Sequence, residues 1–267
     1  MRPIHEHCRR SPFVRQLKVA DLSAIVGLQE TVTAELPVGF VRSKTESEFR
    51  TYLDGTRGIA YGIVEGNPLL AISLLRIPDE NHPNVGLPFP LVPEEDWSVC
   101  ACFLENTMVL PAVRGRGYHR ILLRARLAHA ASVKMKWICA GVHLQNVVSW
   151  TNLLARGMTI TGIRFDLGYP IIGLLRSCDA LALPSDSNDQ VWIRAQDPSQ
   201  HQAALQDGYI GVRLGSDGGV IYQRLSSNGM RPTTSLRWKA SPRILDRLHL
   251  RESSLFSCQK KTEPYKL

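Results

Sequence analysis

The chain has 267 residues, 44% of them hydrophobic and 21% charged, and it carries a net charge of +8 with a pI of about 9.4. That balance suits one large globular domain, or a domain with a small appendage. No apolar run approaches the roughly 20 residues of a membrane-spanning helix, and the stretch from Met1 to Cys8 lacks the apolar core of a signal peptide. No membrane partner and a cytoplasmic location are therefore expected.

The charge is uneven. From Arg231 onward the last 37 residues carry nine Lys or Arg against three Asp or Glu, more than half of the excess. A basic balance points to nucleic acid, an acidic substrate or an anionic cofactor. No basic sheet motif with interleaved aromatics is present, so a solvated basic tail is preferred to a nucleic-acid arm. The six cysteines, at 8, 100, 102, 139, 178 and 258, include no C-x-x-C pair. Reduced, structural thiols are expected rather than a disulfide framework or a zinc site. Cys100 and Cys102 have the spacing of one face of a strand. His5, His7 and Cys8 are metal-ligating in type but stand in a segment expected to fray.

In chain order, Val14 to Val19 reads as a first strand, and Asp21 as the cap of a helix carrying Leu22, Ile25, Val26 and Leu28 near one face. A second, shorter helix is expected from Ser43 to Leu53, ended by Asp54-Gly55. Ile59 to Val64 and Leu69 to Ile77 form a hairpin signal around Glu65-Gly-Asn-Pro68. Residues 78–96, rich in Pro, Asn and acidic side chains, read as a long loop able to form part of a substrate lid. Val99 to Leu110 returns to strand character. A helix from Gly117 to about Val133 is expected to bury Tyr118, Leu122 and Ala125, with Ile121 and Ala128 beside them. Trp137 to Val142 is a strand, Asn146 to Arg156 a helix stopped by Gly157, Met158 to Leu167 a strand, and Ile171 to Arg176 one more. This order argues for a mixed α/β layered domain over residues 13–183, after an N-terminal extension over 1–12. Pro184 to Asp189 reads as a boundary. Beyond it, residues 184–228 form a small α+β appendage: a strand at Val191 to Arg194, a helix near Pro198 to Gln206, and strands at Tyr209 to Leu214 and Gly219 to Leu225. Residues 229–267 have little periodicity and are expected to be poorly ordered, apart from a possible helix at Ser241 to Leu250.

The stretch with most chemical content runs from Val109 to Arg124. Gly115 and Gly117 let backbone N–H groups approach an anion without Cβ obstruction, the following helix aims its unpaired N–H groups at the same point, and Arg114 and Arg116 add fixed charge. The alternative is a tight strand-to-helix turn with no ligand. A P-loop is excluded because no G-x-x-x-x-G-K-[ST] run occurs, and a dinucleotide fingerprint because Arg120 stands where the third glycine should fall.

These residues resemble the GCN5-related N-acetyltransferase (GNAT) superfamily. Val109-x-Pro-x-x-Arg114-Gly-Arg-Gly117-Tyr is similar to its V-x-P-x-x-R-G-x-G diphosphate loop. Asn146-x-x-Ser149-x-x-x-Leu153-x-x-Arg156-Gly157-Met158 is similar to its N-x-x-A/S…K-x-G-F helix ending, with the basic residue shifted by one position. The resemblance covers roughly residues 13–177 and implies an acyl-CoA N-acyltransferase fold. It implies two strands that splay apart, between the strand ending at Leu110 and that ending at Val142, to admit the pantetheine arm like an added strand. It further implies acetyl-CoA or another acyl-CoA as cofactor. Main-chain groups near Val109 would meet the pantetheine, and Arg114, Gly115, Arg116, Gly117, Tyr118 and His119 would hold the diphosphate. Asn146 would lie beside the cofactor arm or cap its helix; both roles can hold at once.

The implied reaction is direct transfer of an acetyl or short acyl group to an amine on a small molecule or peptide, with a homodimer left open. Glu105 is the candidate general base and His143 a second, while a backbone N–H near Val109 would polarise the thioester carbonyl. The sequence departs from the family at His119, where Gly or Ala is usual, and at Leu153, where many members carry a Tyr acid. Tyr118 and Tyr169 are the phenols that would substitute. Binding of acyl-CoA without transfer is the alternative reading.

Overall fold

The computed structural model describes residues 11–84, 91–166, 168–178 and 185–225. Ten strands lie in them: β1 (Phe13–Gln16), β2 (Gly58–Val64), β3 (Leu69–Arg76), β4 (Ala101–Val109), β5 (Trp137–His143), β6 (Thr159–Asp166), β7 (Tyr169–Ser177), β8 (Ser185–Ile193), β9 (Tyr209–Leu214) and β10 (Val220–Leu225). They form one sheet in the order β1-β2-β3-β4-β5-β7-β6-β9-β10-β8. Every pairing is antiparallel except β4 with β5. The helices are α1 (Leu22–Thr33), α2 (Glu46–Leu53), α3 (Glu94–Cys100), α4 (Tyr118–Ser132), α5 (Val147–Leu154) and α6 (Pro198–Gln206).

Strand alternation sorts the core into layers. α1 and α2 bury Leu22, Ile25, Leu28, Phe49 and Leu53 against Ala60, Ile72, Leu74 and Met108 of β2, β3 and β4. α4 covers the opposite face, where Tyr118 and Leu122 meet Ile63, Leu70 and Ala71, and Leu123 meets Leu75, Cys102 and Leu104. α5 and α6 extend that second layer through Trp150, Leu153, Ala204 and Leu205.

Most expected elements are present, with informative shifts. The second helix begins at Glu46, after a capping box in which Thr45 accepts from the Glu48 amide and Glu48 from that of Thr45. Asp21 precedes α1, but its carboxylate turns back to Arg15 at 2.6 and 2.8 Å and to the Lys18 amide, so it caps no N–H of α1. The loop expected over 78–96 is shorter, because Glu94–Cys100 is helical. Pro93 opens that helix, and Trp97 buries against Ala101, Trp137 and Cys139. Cys100 closes α3, so it does not share a strand face with Cys102. Both are free thiols, as is Cys139, while Cys8, Cys258, His5 and His7 lie outside the described residues.

Ser185 to Asp189, expected as a boundary, opens β8 and pairs with β10 at Ser185↔Leu225 and Asp186↔Arg224. The sequence is polar there, and its extended form comes from a ladder partner some forty residues on. The strands of the 184–228 segment continue the main sheet, since Gly211 of β9 pairs with Ile160 of β6. A Cβ at Gly211 would stand 3.0 Å from both the Ile160 Cβ and the Tyr222 ring, so any side chain there would push these neighbours back by a few tenths of an ångström. The 229–267 tail, with its possible helix, lies outside the described residues.

Within this segment His201 and Tyr222 are both fully buried. The Ala195 carbonyl accepts from His201 Nε2 at 3.0 Å, so Nδ1 is left to accept the Tyr222 hydroxyl hydrogen at 2.6 Å. Tyr222→Phe should therefore orphan Nδ1 and destabilise the fold by about 1–3 kcal/mol in a denaturant or thermal melt. An unchanged melt would show that the pair does not contribute.

Candidate functional site

β4 and β5 share three register pairs, Ala101↔Trp137, Cys102↔Ile138 and Phe103↔Cys139, after which their ladder ends. Both strands nevertheless continue, β4 to Val109 on the ladder of β3 and β5 to His143 on the ladder of β7. Their inner edges thus part into a wedge whose N–H and C=O groups face no strand. Such groups attract an extended, amide-bearing ligand.

A β-bulge lies at the mouth of this wedge. The β3–β4 register shifts between Leu74↔Glu105 and Ser73↔Thr107, which leaves Asn106 opposite no residue, at φ +20°. The three residues around the bulge bind the loop between α1 and α2, α2, β3 and α4. The Glu105 carboxylate meets Lys44 Nζ at 2.7 Å, the Tyr52 hydroxyl at 2.9 Å and Arg76 Nε at 3.4 Å. Asn106 Nδ2 donates to the Arg42 carbonyl at 2.7 Å, and Thr107 Oγ1 accepts from Arg126 of α4 at 2.8 Å.

Beyond β4, residues 114–117 turn into α4. Gly115 and Gly117 have φ of +80° and +79°, which only glycine adopts freely, and Gly117 caps α4 without a side-chain hydrogen bond. The first amides of α4 therefore have no intrahelical partner and point toward the turn. Arg114, Arg116 and Arg120 are exposed around it, and no acidic residue occupies the first turn of α4. Arg120, which the sequence reading passed over as a ligand, folds its guanidinium back over the loop, 3.3 Å from where a Gly117 Cβ would stand. Cations at a helix N-terminus are unfavourable alone and become favourable once an anion sits between them. Arg114 meanwhile pairs with Glu35 at 3.4 Å across the loop that follows α1.

No protein-family profile matches the sequence. No curated protein matches it either. Solved structures do. An acetyltransferase of the GNAT family from Streptococcus pneumoniae matches with a TM-score of 0.50 over 62% of this chain and 99% of its own, at 13% identity. This is a GNAT fold. Two further similar chains are an acetyltransferase from Salmonella typhimurium solved with its cofactor acetyl-CoA (TM-score 0.49, 16% identity, 67% and 99% covered) and the ribosomal-protein-S18-alanine N-acetyltransferase from Escherichia coli (0.48, 16%, 63% and 94%).

Within the GNAT fold, the other residues singled out by sequence fall as follows. Val109 ends β4 opposite Ala71, at the lip of the wedge. Tyr118 is buried among Ile63, Leu70, Ala71, Val113 and Leu122, which gives it a packing role. His119 is half-buried with Nδ1 enclosed and unpartnered, and burial together with the Arg126 charge lowers its pKa to about 4. Asn146 caps α5, its Oδ1 accepting from the Ser149 amide at 3.3 Å. Leu153 is packed in the apolar core with Trp150 and Leu154.

His143, at the end of β5, is buried between the rings of Phe40 and Tyr169, with centroids 5.1 and 5.3 Å away. Its Nδ1 accepts from the Gln145 amide, which places the hydrogen of the neutral ring on Nε2. Burial opposes ionisation of Glu105, but Lys44, the Tyr52 hydroxyl and Arg76 overcome it and hold the carboxyl below its usual range. Neither Lys44, Tyr52 nor Arg76 was singled out by sequence, because the three come from separate elements and meet only in the fold. Among the described residues no cluster of His, Cys, Asp or Glu suits a metal ion, and no helix is long and apolar enough to cross a membrane.

Burial lowers the pKa of His119, His129, His143 and His201 below the ordinary 6.5. As pH falls below about 6.5 the unfolded chain binds more protons than the folded one, so stability that is full above that pH is lost toward the folded pKa values. The melting temperature should fall between about pH 7.5 and pH 5; a rise over that window would contradict the lowered pKa values of these rings.

Proposed function

We propose that the protein transfers an acetyl or short acyl group from acyl-CoA to an amine on a small molecule or peptide. The observation that carries this reading is the early end of the β4–β5 ladder, which leaves backbone groups open for a pantetheine arm on the strand that runs into an arginine-rich glycine turn. The arm would add to the inner edge of β4 near Val109. The diphosphate would rest on the amides from Arg114 to His119, with Arg116 and Arg120 as counter-charge. Acetyl-CoA is the simplest donor, and the similar Salmonella typhimurium structure holds that molecule as its cofactor. When bound, the thioester supplies the activated acyl group. A β4 N–H near Val109 would stabilise the oxyanion as the amine attacks.

Glu105 lies on the face of β4 that carries α1 and α2, opposite α4. Its lowered pKa makes proton uptake from an ammonium unfavourable, and its carboxylate already binds Lys44, Arg76 and Tyr52. The reading that fits is an electrostatic anchor for this face, with the amine proton lost to water. A second reading, binding without transfer, is favoured by Leu153, whose apolar, buried side chain cannot protonate a departing thiolate.

Acetyl-CoA at a hundredfold excess over its Kd should stabilise the protein by about 2.7 kcal/mol, several degrees in Tm. Gly117→Asp should abolish that shift, because it strains a φ of +79° and puts a carboxylate into the cradle. No shift in the unsubstituted protein with any acyl-CoA would sink both readings. A thiol-release assay across amine, polyamine and peptide acceptors then separates transfer from binding alone. In that assay Glu105→Gln should lower turnover by the same factor at pH values of about 7 and 9, as an anchor would. A deficit that narrows at high pH would instead make Glu105 the base.

A further inference from the structure

We propose that Arg126 is a positioning residue for acyl-CoA: it holds the β4 bulge and so decides which backbone groups face the wedge. The inference rests on the acyl-CoA reading above. Arg126 is 1% exposed, in the middle of α4, between the apolar Leu122, Leu123 and Ala130. Among the described residues it has no ion pair, and its Nε is buried without a partner. An uncompensated buried guanidinium is costly, and simple packing at this position would be met by Leu or Met.

Every hydrogen bond that it makes goes to the bulge. Nη1 donates to the Leu74 carbonyl at 3.2 Å and to the Glu105 carbonyl at 3.1 Å, and Nη2 donates to Thr107 Oγ1 at 2.8 Å. Leu74 and Glu105 form the last register pair before the shift, and Thr107 belongs to the first pair after it. Bulging disrupts the ladder at that step, and buried carbonyls left without donors are unfavourable. The guanidinium supplies those donors from the α4 side. On the other side, Asn106 Nδ2 reaches the Arg42 carbonyl, so the strained φ of +20° at Asn106 is held from both faces.

The consequence follows from the period of a strand. Relaxation of the bulge into regular pairing would shift Thr107, Met108 and Val109 by one residue. That would exchange their faces and swap the N–H groups turned toward β3 with those turned toward the wedge. Arg126 touches neither cofactor nor acceptor in this account; it fixes the edge that the cofactor uses.

Calorimetric titration of the full chain with coenzyme A and with acetyl-CoA tests this. Arg126→Met should weaken Kd by about tenfold or more, and Thr107→Val, which removes only the Nη2 acceptor, by about threefold, in line with loss of charged hydrogen bonds. Arg126→Lys should bind nearly normally below neutral pH and lose affinity as pH rises, since a buried ammonium gives up its proton readily where a guanidinium does not. A lower melting temperature with unchanged Kd in Arg126→Met would make Arg126 a packing residue and overturn the proposal. If that variant does not fold, an unchanged Kd in Thr107→Val overturns it. Absence of binding by the unsubstituted protein would remove the acyl-CoA reading and this role together, whereas unchanged binding by the variants leaves that reading standing.

Discussion

Two neighbouring parallel strands that pair at three positions and then part are the constraint on which the rest of this molecule depends. Backbone N–H and C=O groups demand partners, and a sheet normally supplies them from strand to strand. Here β3 and β7 hold the outer edges of β4 and β5 in register while the inner edges separate. Both walls of the opening therefore belong to one continuous sheet. Helices pack on both faces of the sheet beside it: α1 and α2 through Ile25 and Phe49 in the cluster of Met108, and α4 and α5 through Leu123 and Trp150 in that of Leu104.

The bulge converts this opening into a shaped site. Around Asn106, successive side chains reach Lys44 and Tyr52 on one face, the Arg42 carbonyl in the loop between α1 and α2, and Arg126 on the other face. Strain at a positive φ persists only where the surroundings over-determine it, and here contacts from both faces of the sheet do so. The charges divide accordingly. Arginines crowd the amino end of α4, where the helix dipole alone disfavours them, and among the described residues only Arg114 of these is seen in an ion pair, with Glu35. The interior is arranged the other way: burial lowers the pKa of His143 and His201, and the cations around Glu105 hold its carboxyl below the usual range.

The glycine turn into α4 was readable in the chain because its parts are contiguous. Gly115, Gly117 and the arginines beside them fall within six residues, and the helix signal follows at once. Asn146 was readable as a cap for the same reason. The polar network at the bulge was not. Arg126 lies in a helix whose other arginines at 120 and 124 are exposed, and a period of 3.6 residues cannot tell a buried guanidinium from a solvated one. Ile121 and Ala128, expected near the apolar stripe, are exposed, while Arg126 takes an inward position. What reverses the assignment is the demand of two carbonyls on neighbouring strands, a contact some fifty residues away in the chain for Leu74.

The fold divides in the same way. Local pattern determined the helices from Leu22, Glu46, Tyr118, Val147 and Pro198, the hairpin of β2 and β3, and the glycine turn, since each follows from capping, periodicity and φ preferences within a few residues. Tertiary structure alone decided that Glu94–Cys100 is helical, that the polar run from Ser185 is a strand, and that β9 joins the sheet beside β6 at a glycine. It alone also decided where the ladder between β4 and β5 stops. Each of those outcomes depends on a partner distant in sequence, because backbone pairing and burial are satisfied by whatever the fold brings near and leave no local trace in the residues themselves.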